Sequence, residues 1–208
     1  MKKIFNLLSF SVLTFFACAF VSCAQNIPEV LSSEGTLIFE YADEESYPEA
    51  RLAVYTETST DPRRTSSVEV LCLENGFQWE SDRVVIFESG DQSFAGVQNL
   101  CMPEDRPFSG GEYQVTYKTL SEETDTDRFY LSAHYDVYTM TVSEAVEYMQ
   151  SRNGHKKLML FDGEGRVLFY GEPSDFPDPL NSFPETASYR YVWTCSGNLM
   201  CLLPCVKK

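Results

Sequence analysis

Residues 109–120 read SGGEYQVTYKTL, and this stretch constrains the fold of the chain more than any other. After two glycines, Tyr113, Val115 and Tyr117 alternate with Gln114, Thr116 and Lys118. A period of two sends successive side chains to opposite faces of a sheet, so one face is buried and the other is wet. Leu37, Phe39 and Tyr41 repeat the pattern upstream, as do Leu52, Val54 and Thr56. Val68, Val70 and Cys72 lead into Asn75-Gly76, which tolerates the positive φ of a tight hairpin turn, with Phe77 and Trp79 on the return. The apolar run RVVIFES at 83–89 predicts a short strand buried on both faces, and 94–100 holds another strand. Phe129, Leu131, Ala133 and Tyr135 then predict an antiparallel partner for the Tyr113 strand, with His134 on its polar face.

One helix interrupts this pattern. Thr141 and Glu144 form a capping box, in which hydroxyl and carboxylate satisfy free amides at a helix start. Val142, Ala145, Val146 and Met149 follow at helical spacing and Asn153-Gly154 ends the run, which predicts a helix at about 142–152. A second hairpin turns at 162–165, with Leu158, Leu160, Val167 and Phe169 facing the core. Four prolines across 173–187 read as a loop or linker, because proline cannot donate to a ladder. The predicted organisation is a signal at 1–24, a tether at 25–34, a β-sandwich domain at 35–172, and a Pro-rich, Cys-containing tail at 173–208.

The amino terminus has the three-part plan of an export signal: Lys2 and Lys3, an apolar run, then the small residues Ser22, Cys23 and Ala24. Two processing outcomes follow. Cleavage after Ala24 releases a periplasmic or secreted protein. Alternatively, Phe20-Val21-Ser22-Cys23 resembles a bacterial lipobox, which makes Cys23 the lipid-bearing first residue of an envelope lipoprotein. In that case the membrane is a partner through acyl chains, each buried methylene contributing about 0.8 kcal/mol. Acidic residues outnumber basic ones 31 to 16, a formal charge of -15 that becomes -17 once Lys2 and Lys3 leave with the signal. Such a surface repels phosphate backbones, so nucleic acid is excluded as a partner.

The segment Gly111-Glu112-Tyr113-Gln114-Val115 resembles the tyrosine corner of immunoglobulin-like and fibronectin-type domains. The resemblance covers roughly 35–136 and implies an immunoglobulin-like antiparallel β-sandwich, here with one added helix and a C-terminal β-hairpin. It also implies that the Tyr113 hydroxyl bonds back to nearby backbone, and that Trp79 is the core tryptophan of the third strand. Val115 stands where antibody domains carry cysteine, and Ser109 where the family often has aspartate.

The sequence contains no nucleophile elbow, zinc-protease helix or phosphate loop. His134 and His155 are the only histidines, and neither has a partner at ligand spacing. The site expectations are therefore no catalytic residue, no metal and no cofactor. Cys72, Cys101, Cys195, Cys201 and Cys205 remain after the signal, an odd number open to disulfides among them. The acids of 43–45 and 122–127 crowd two loops, but calcium needs six or more converging oxygens. Tyr55, Phe87, Tyr130 and Tyr170 fall opposite the predicted core faces. They either contact a glycan or protein partner or lie beneath the helix and tail. The expected role is binding or structural rather than enzymatic. A carbohydrate-binding module is the alternative, and an enzyme assembled from scattered acids such as Asp125 and Glu164 comes third.

Overall fold

The computed structural model describes residues 29–208 apart from 60, 104, 105 and 197. The export signal, Cys23 and most of the tether lie outside the described residues. The described residues are mostly β, with two packed sheets and one α-helix among them. In chain order come β1 (Val30–Glu40), β2 (Glu49–Thr58), β3 (Thr65–Cys72), β4 (Gln78–Ser81), β5 (Val85–Ser89), β6 (Gln92–Leu100), β7 (Gly111–Thr119) and β8 (Thr124–Leu131). Helix α1 (Val142–Ser151) follows, then β9 (His155–Phe161), β10 (Val167–Gly171), β11 (Ser188–Cys195), β12 (Leu199–Leu202) and β13 (Val206–Lys207).

The small sheet has the order β4-β3-β7-β8 and is antiparallel throughout. The large sheet runs β10-β9-β11-β12-β1-β2-β6-β5, with β13 added on β11. All of its pairings are antiparallel except β1 with β12, where Leu37 faces Leu199 and Glu40 faces Leu202 in parallel register. The stretch after 173 thus supplies interior strands of the large sheet. Alternation explains the core: Leu37, Phe39, Leu52, Val54 and Val97 from the large sheet meet Val68, Val70, Val115 and Phe129 from the small one.

Tyr113 fastens the small sheet to the large one. Its ring is fully buried and its hydroxyl donates to the Ser109 carbonyl at 2.8 Å. The ring stacks on Phe129 at 5.3 Å, and Phe129 in turn presses its edge against Gly35 of β1. A β-carbon at Gly35 would overlap that ring, so the close approach of the sheets requires glycine there. Beyond the small sheet, α1 covers the inner face of β11 and β12 through Val142, Ala145 and Met149, next to Trp193, Leu199 and Cys201. Its capping box is formed, with Glu144 Oε2 accepting from the Thr141 amide at 2.8 Å. Further along, Leu160 shares a face with Phe169, and the 173–187 segment lays Phe176 and Phe183 over that end in a chain of ring contacts.

Several expectations are corrected. β5 is an edge strand exposed along its whole length, because β6 pairs with one side of it and no other described strand takes the second side. The Tyr113 partner strand stops at Leu131; Ala133 and Tyr135 are exposed, and Tyr135–Thr139 is a 3-10 turn. That turn buries His134, whose Nδ1 lies 3.4 Å from the Tyr148 hydroxyl. Trp79 belongs to the fourth strand and is half-buried, donating Nε1–H to the Cys101 carbonyl at 2.9 Å. Val167 is 55% exposed, because a register shift between Val167 and Phe169 turns it away from the core.

Tyr113→Phe removes the hydroxyl from the Ser109 carbonyl and keeps the ring. It is expected to destabilise the domain by about 1 kcal/mol, the net worth of such a bond. Equilibrium urea denaturation checks this, and an unchanged midpoint would remove the corner from the account of stability.

Candidate functional site

The inner face of the large sheet is covered by the small sheet, α1 and the 173–187 segment except at edge strand β5, and its outer face is concave. Here the curled sheet forms a trough of about 770 Å³ between β1, β2, β6, β9, β11 and β12. That volume falls in the range of small-molecule sites, which take about 300–1,000 Å³. The outward residues of the same alternation that built the core line it: Thr36, Ile38 and Glu40 from β1, Arg51, Ala53 and Tyr55 from β2.

Glu40 is the hub. Its Oε2 lies 3.0 Å from Arg51 Nη2, and its Oε1 accepts from Arg190 Nη1 at 2.6 Å. Arg51 Nη1 also donates to Asn99 Oδ1 at 2.6 Å. The register explains the meeting. Ile38 pairs with Arg51, so Glu40 lies two residues along on the same face. On the other side β12 ends at Leu202, opposite Glu40, and Arg190 of β11 reaches past that end. The Arg190 side chain is only 16% exposed. The Nε atoms of both arginines are buried and have no acceptor among the described residues. Each guanidinium carries five N–H donors, so the trio is rich in donors and poor in acceptors. A carboxylate between two guanidiniums also leaves one uncompensated positive charge in a chain of net charge -15.

The trough adjoins a smaller hollow of about 340 Å³ at the β5 side, with Thr36 and Tyr55 common to both. Tyr55 meets Phe87 edge-on at 5.0 Å, and Phe87 stacks on Phe94 at 4.6 Å. Glu34, Glu57 and Gln92 supply polar groups beside these rings. The structure therefore brings together two of the four singled-out aromatics. Tyr130 stands apart on β8 of the other sheet, 70% exposed, and Tyr170 lies on edge strand β10.

The cysteines are scattered, and all five described ones are free thiols. Cys72 is buried in the sandwich and Cys201 beneath α1, where burial pushes its thiol pKa up to about 12. Cys195 is half-buried beside it, and burial raises its pKa also. Cys101 is exposed after β6, and Cys205 stands on the trough wall. Asp125 accepts from the Val30 amide at 2.8 Å and so fastens the start of β1. Glu164 pairs with Arg166 in the β9–β10 turn, far along the other sheet. The two acids are not on a common element. Asp43 accepts from the amides of Glu45 and Ser46, closing its own loop. Among the described residues no group of three or more His, Cys, Asp or Glu converges as a metal site.

No family model, curated protein or solved structure matches this chain.

Sequence reasoning did not single out Glu40, Arg51 or Arg190. The only trace was an arginine inside each of two apolar strands, EARLAVY and SYRYVW, where an outward position reads as ordinary solvation. Thiol chemistry checks the placement of the cysteines. At pH 8, iodoacetamide is expected to modify Cys101 readily in the native protein, whereas Cys72 and Cys201 should react only in denaturant, because a thiol needs exposure and ionisation. Peptide mass spectrometry reads the order, and native labelling of Cys201 would contradict its burial beneath the helix.

Proposed function

We propose that the chain is an immunoglobulin-like module exported to a bacterial cell envelope, anchored there by a lipid on Cys23, and built to bind a ligand in the trough of the large sheet. The strand order supports the fold reading. β1-β2-β6-β5 follows the A-B-E-D order of such domains, and β4-β3-β7-β8 follows a C-F-G sheet with one strand added beside C. The Tyr113–Ser109 hydrogen bond supports it further, being the family's corner contact. The C-terminal strands then act as an extension that widens one sheet into a concave surface.

The observation that carries the binding reading is the Arg51–Glu40–Arg190 trio at the floor of the trough. Sites for small molecules are concave, largely apolar and furnished with a few placed polar groups. The trough has that make-up, and its donors exceed its acceptors. The reading assigns no catalytic step. A carbohydrate-binding role is the second reading, favoured by the Tyr55–Phe87–Phe94 rings beside Glu34, Glu57 and Gln92, since rings stack on sugars and acids accept from hydroxyls.

Mass spectrometry of the protein purified from membranes tests both parts. The expected result is an N-terminus at acylated Cys23 and a small molecule in the solvent extract that disappears in Met159→Trp, a change that narrows the trough from its half-buried wall. A free N-terminal Gln25 would overturn the anchoring. An extract identical in the variant would overturn the trough, and glycan binding lost in Tyr55→Ala would move the site to the aromatic end.

A further inference from the structure

We propose that the trough takes an aliphatic monocarboxylate, its head group on Arg190 and Arg51 and its chain along Met159, Met200 and Ile38. This rests on the trough being the ligand site, and it names the chemistry that the site selects.

Charge supplies the first argument. Among the described residues lining the trough, Glu40, Arg51 and Arg190 are the only charged ones, and together they sum to one positive charge. A single anion balances that sum. Planar guanidinium forks match a carboxylate in geometry, and charge-assisted bonds of this kind are the strong ones. Among the described residues Arg190 has an acceptor only at Nη1, which leaves its other terminal nitrogen, Nη2, for a second carboxylate.

The walls supply the second argument. Ile38, Met159, Val167, Met200 and Leu202 offer aliphatic and thioether surface. These five side chains offer a hydroxyl no conventional hydrogen-bond partner, whereas a methylene chain laid on them buries apolar area favourably. Methionine is flexible and polarizable, so Met159 and Met200 can follow chains of different shape. The neighbouring hollow fixes the orientation: Glu34 and Glu57 repel an anion at the aromatic end, so the head group belongs at the arginines.

The test is isothermal titration of the mature chain with decanoate below its micellar concentration, beside 1-decanol and decyl phosphate. Decanoate is expected to bind one to one, at least tenfold more tightly than decanol. Arg190→Met should abolish that preference, with Arg51→Met as the second variant if the first does not fold. Glu40→Gln should tighten decanoate severalfold by releasing guanidinium donors, an effect that a purely structural role for the trio would not produce. Decanoate should also slow alkylation of Cys205 on the trough wall while leaving Cys101 unaffected. Equal affinity for decanol, or a preference for decyl phosphate, would overturn the carboxylate assignment. If decanoate fails to bind while the membrane-extracted molecule protects Cys205, this inference falls and the trough survives as a site. If neither protects Cys205, both fall.

Discussion

Everything distinctive about this molecule depends on β1 having both of its edges occupied. β2 takes one edge in antiparallel register, and β12 takes the other in parallel, pairing Leu37 with Leu199 across most of the chain. An unpaired edge exposes a row of backbone donors and acceptors, a template for association that proteins manage by covering it. Here the chain covers it with its own end. Closing so long a loop costs entropy that rises only slowly with length. It is offset by the burial of Leu199, Cys201 and Trp193 beneath α1. The same pairing sets the position of Glu40 opposite the last residue of β12, and so brings Arg190 within reach of it. The seam that completes the sheet also makes the floor of the trough.

The inner and outer faces of the large sheet follow from one alternation but have different fates. The inner face is covered in turn by the small sheet, by α1, and by the 173–187 segment with its chain of phenylalanine contacts. Curling of the sheet makes the outer face concave, and concavity lets weakly polar surface exclude water around a few charged groups, which strengthens their electrostatics. One end of that face is cationic and aliphatic, the other aromatic and acidic. A ligand lying along it meets an electrostatic gradient fixed by the backbone register.

How much of this was legible in the sequence depends on the range of the interaction. Local signals carried through. Thr141 and Glu144 announce the helix start, and the spacing of Val142, Ala145 and Met149 gives its buried face. Asn75-Gly76 marks a turn whose glycine has φ of 73°. The alternation around Tyr113 identifies a strand buried on one side, with its hydroxyl bond to Ser109 only four residues away. Signals that depend on a distant neighbour did not carry. The apolar run of β5 reads as interior, yet whether a strand lies at an edge is decided by pairing and not by its own residues. His134 looks solvated by alternation, but the strand ends before it and the following 3-10 turn closes over it. Glu40 and Arg190 are 150 positions apart, and no spacing rule spans that distance.

The trio is also hard to explain by folding alone. Removing charges from water is costly, and an ion pair with limited access to water often adds no more stability than well-packed apolar residues of the same volume. Two arginines on one glutamate raise that cost, because the guanidiniums repel each other and their buried Nε–H groups find no acceptor among the described residues. Glu40 lowers the repulsion by standing between them. In doing so it holds two cationic groups at fixed positions on rigid strands, preorganised rather than loose, and preorganised donors lose little entropy when an anion arrives. Asn99 adds to this by orienting Arg51 from β6. On stability alone, aliphatic residues of similar volume would often serve as well in place of the trio. The trio stands on the floor of a trough whose other lining residues are uncharged, and its Nε–H groups have no acceptor among the described residues.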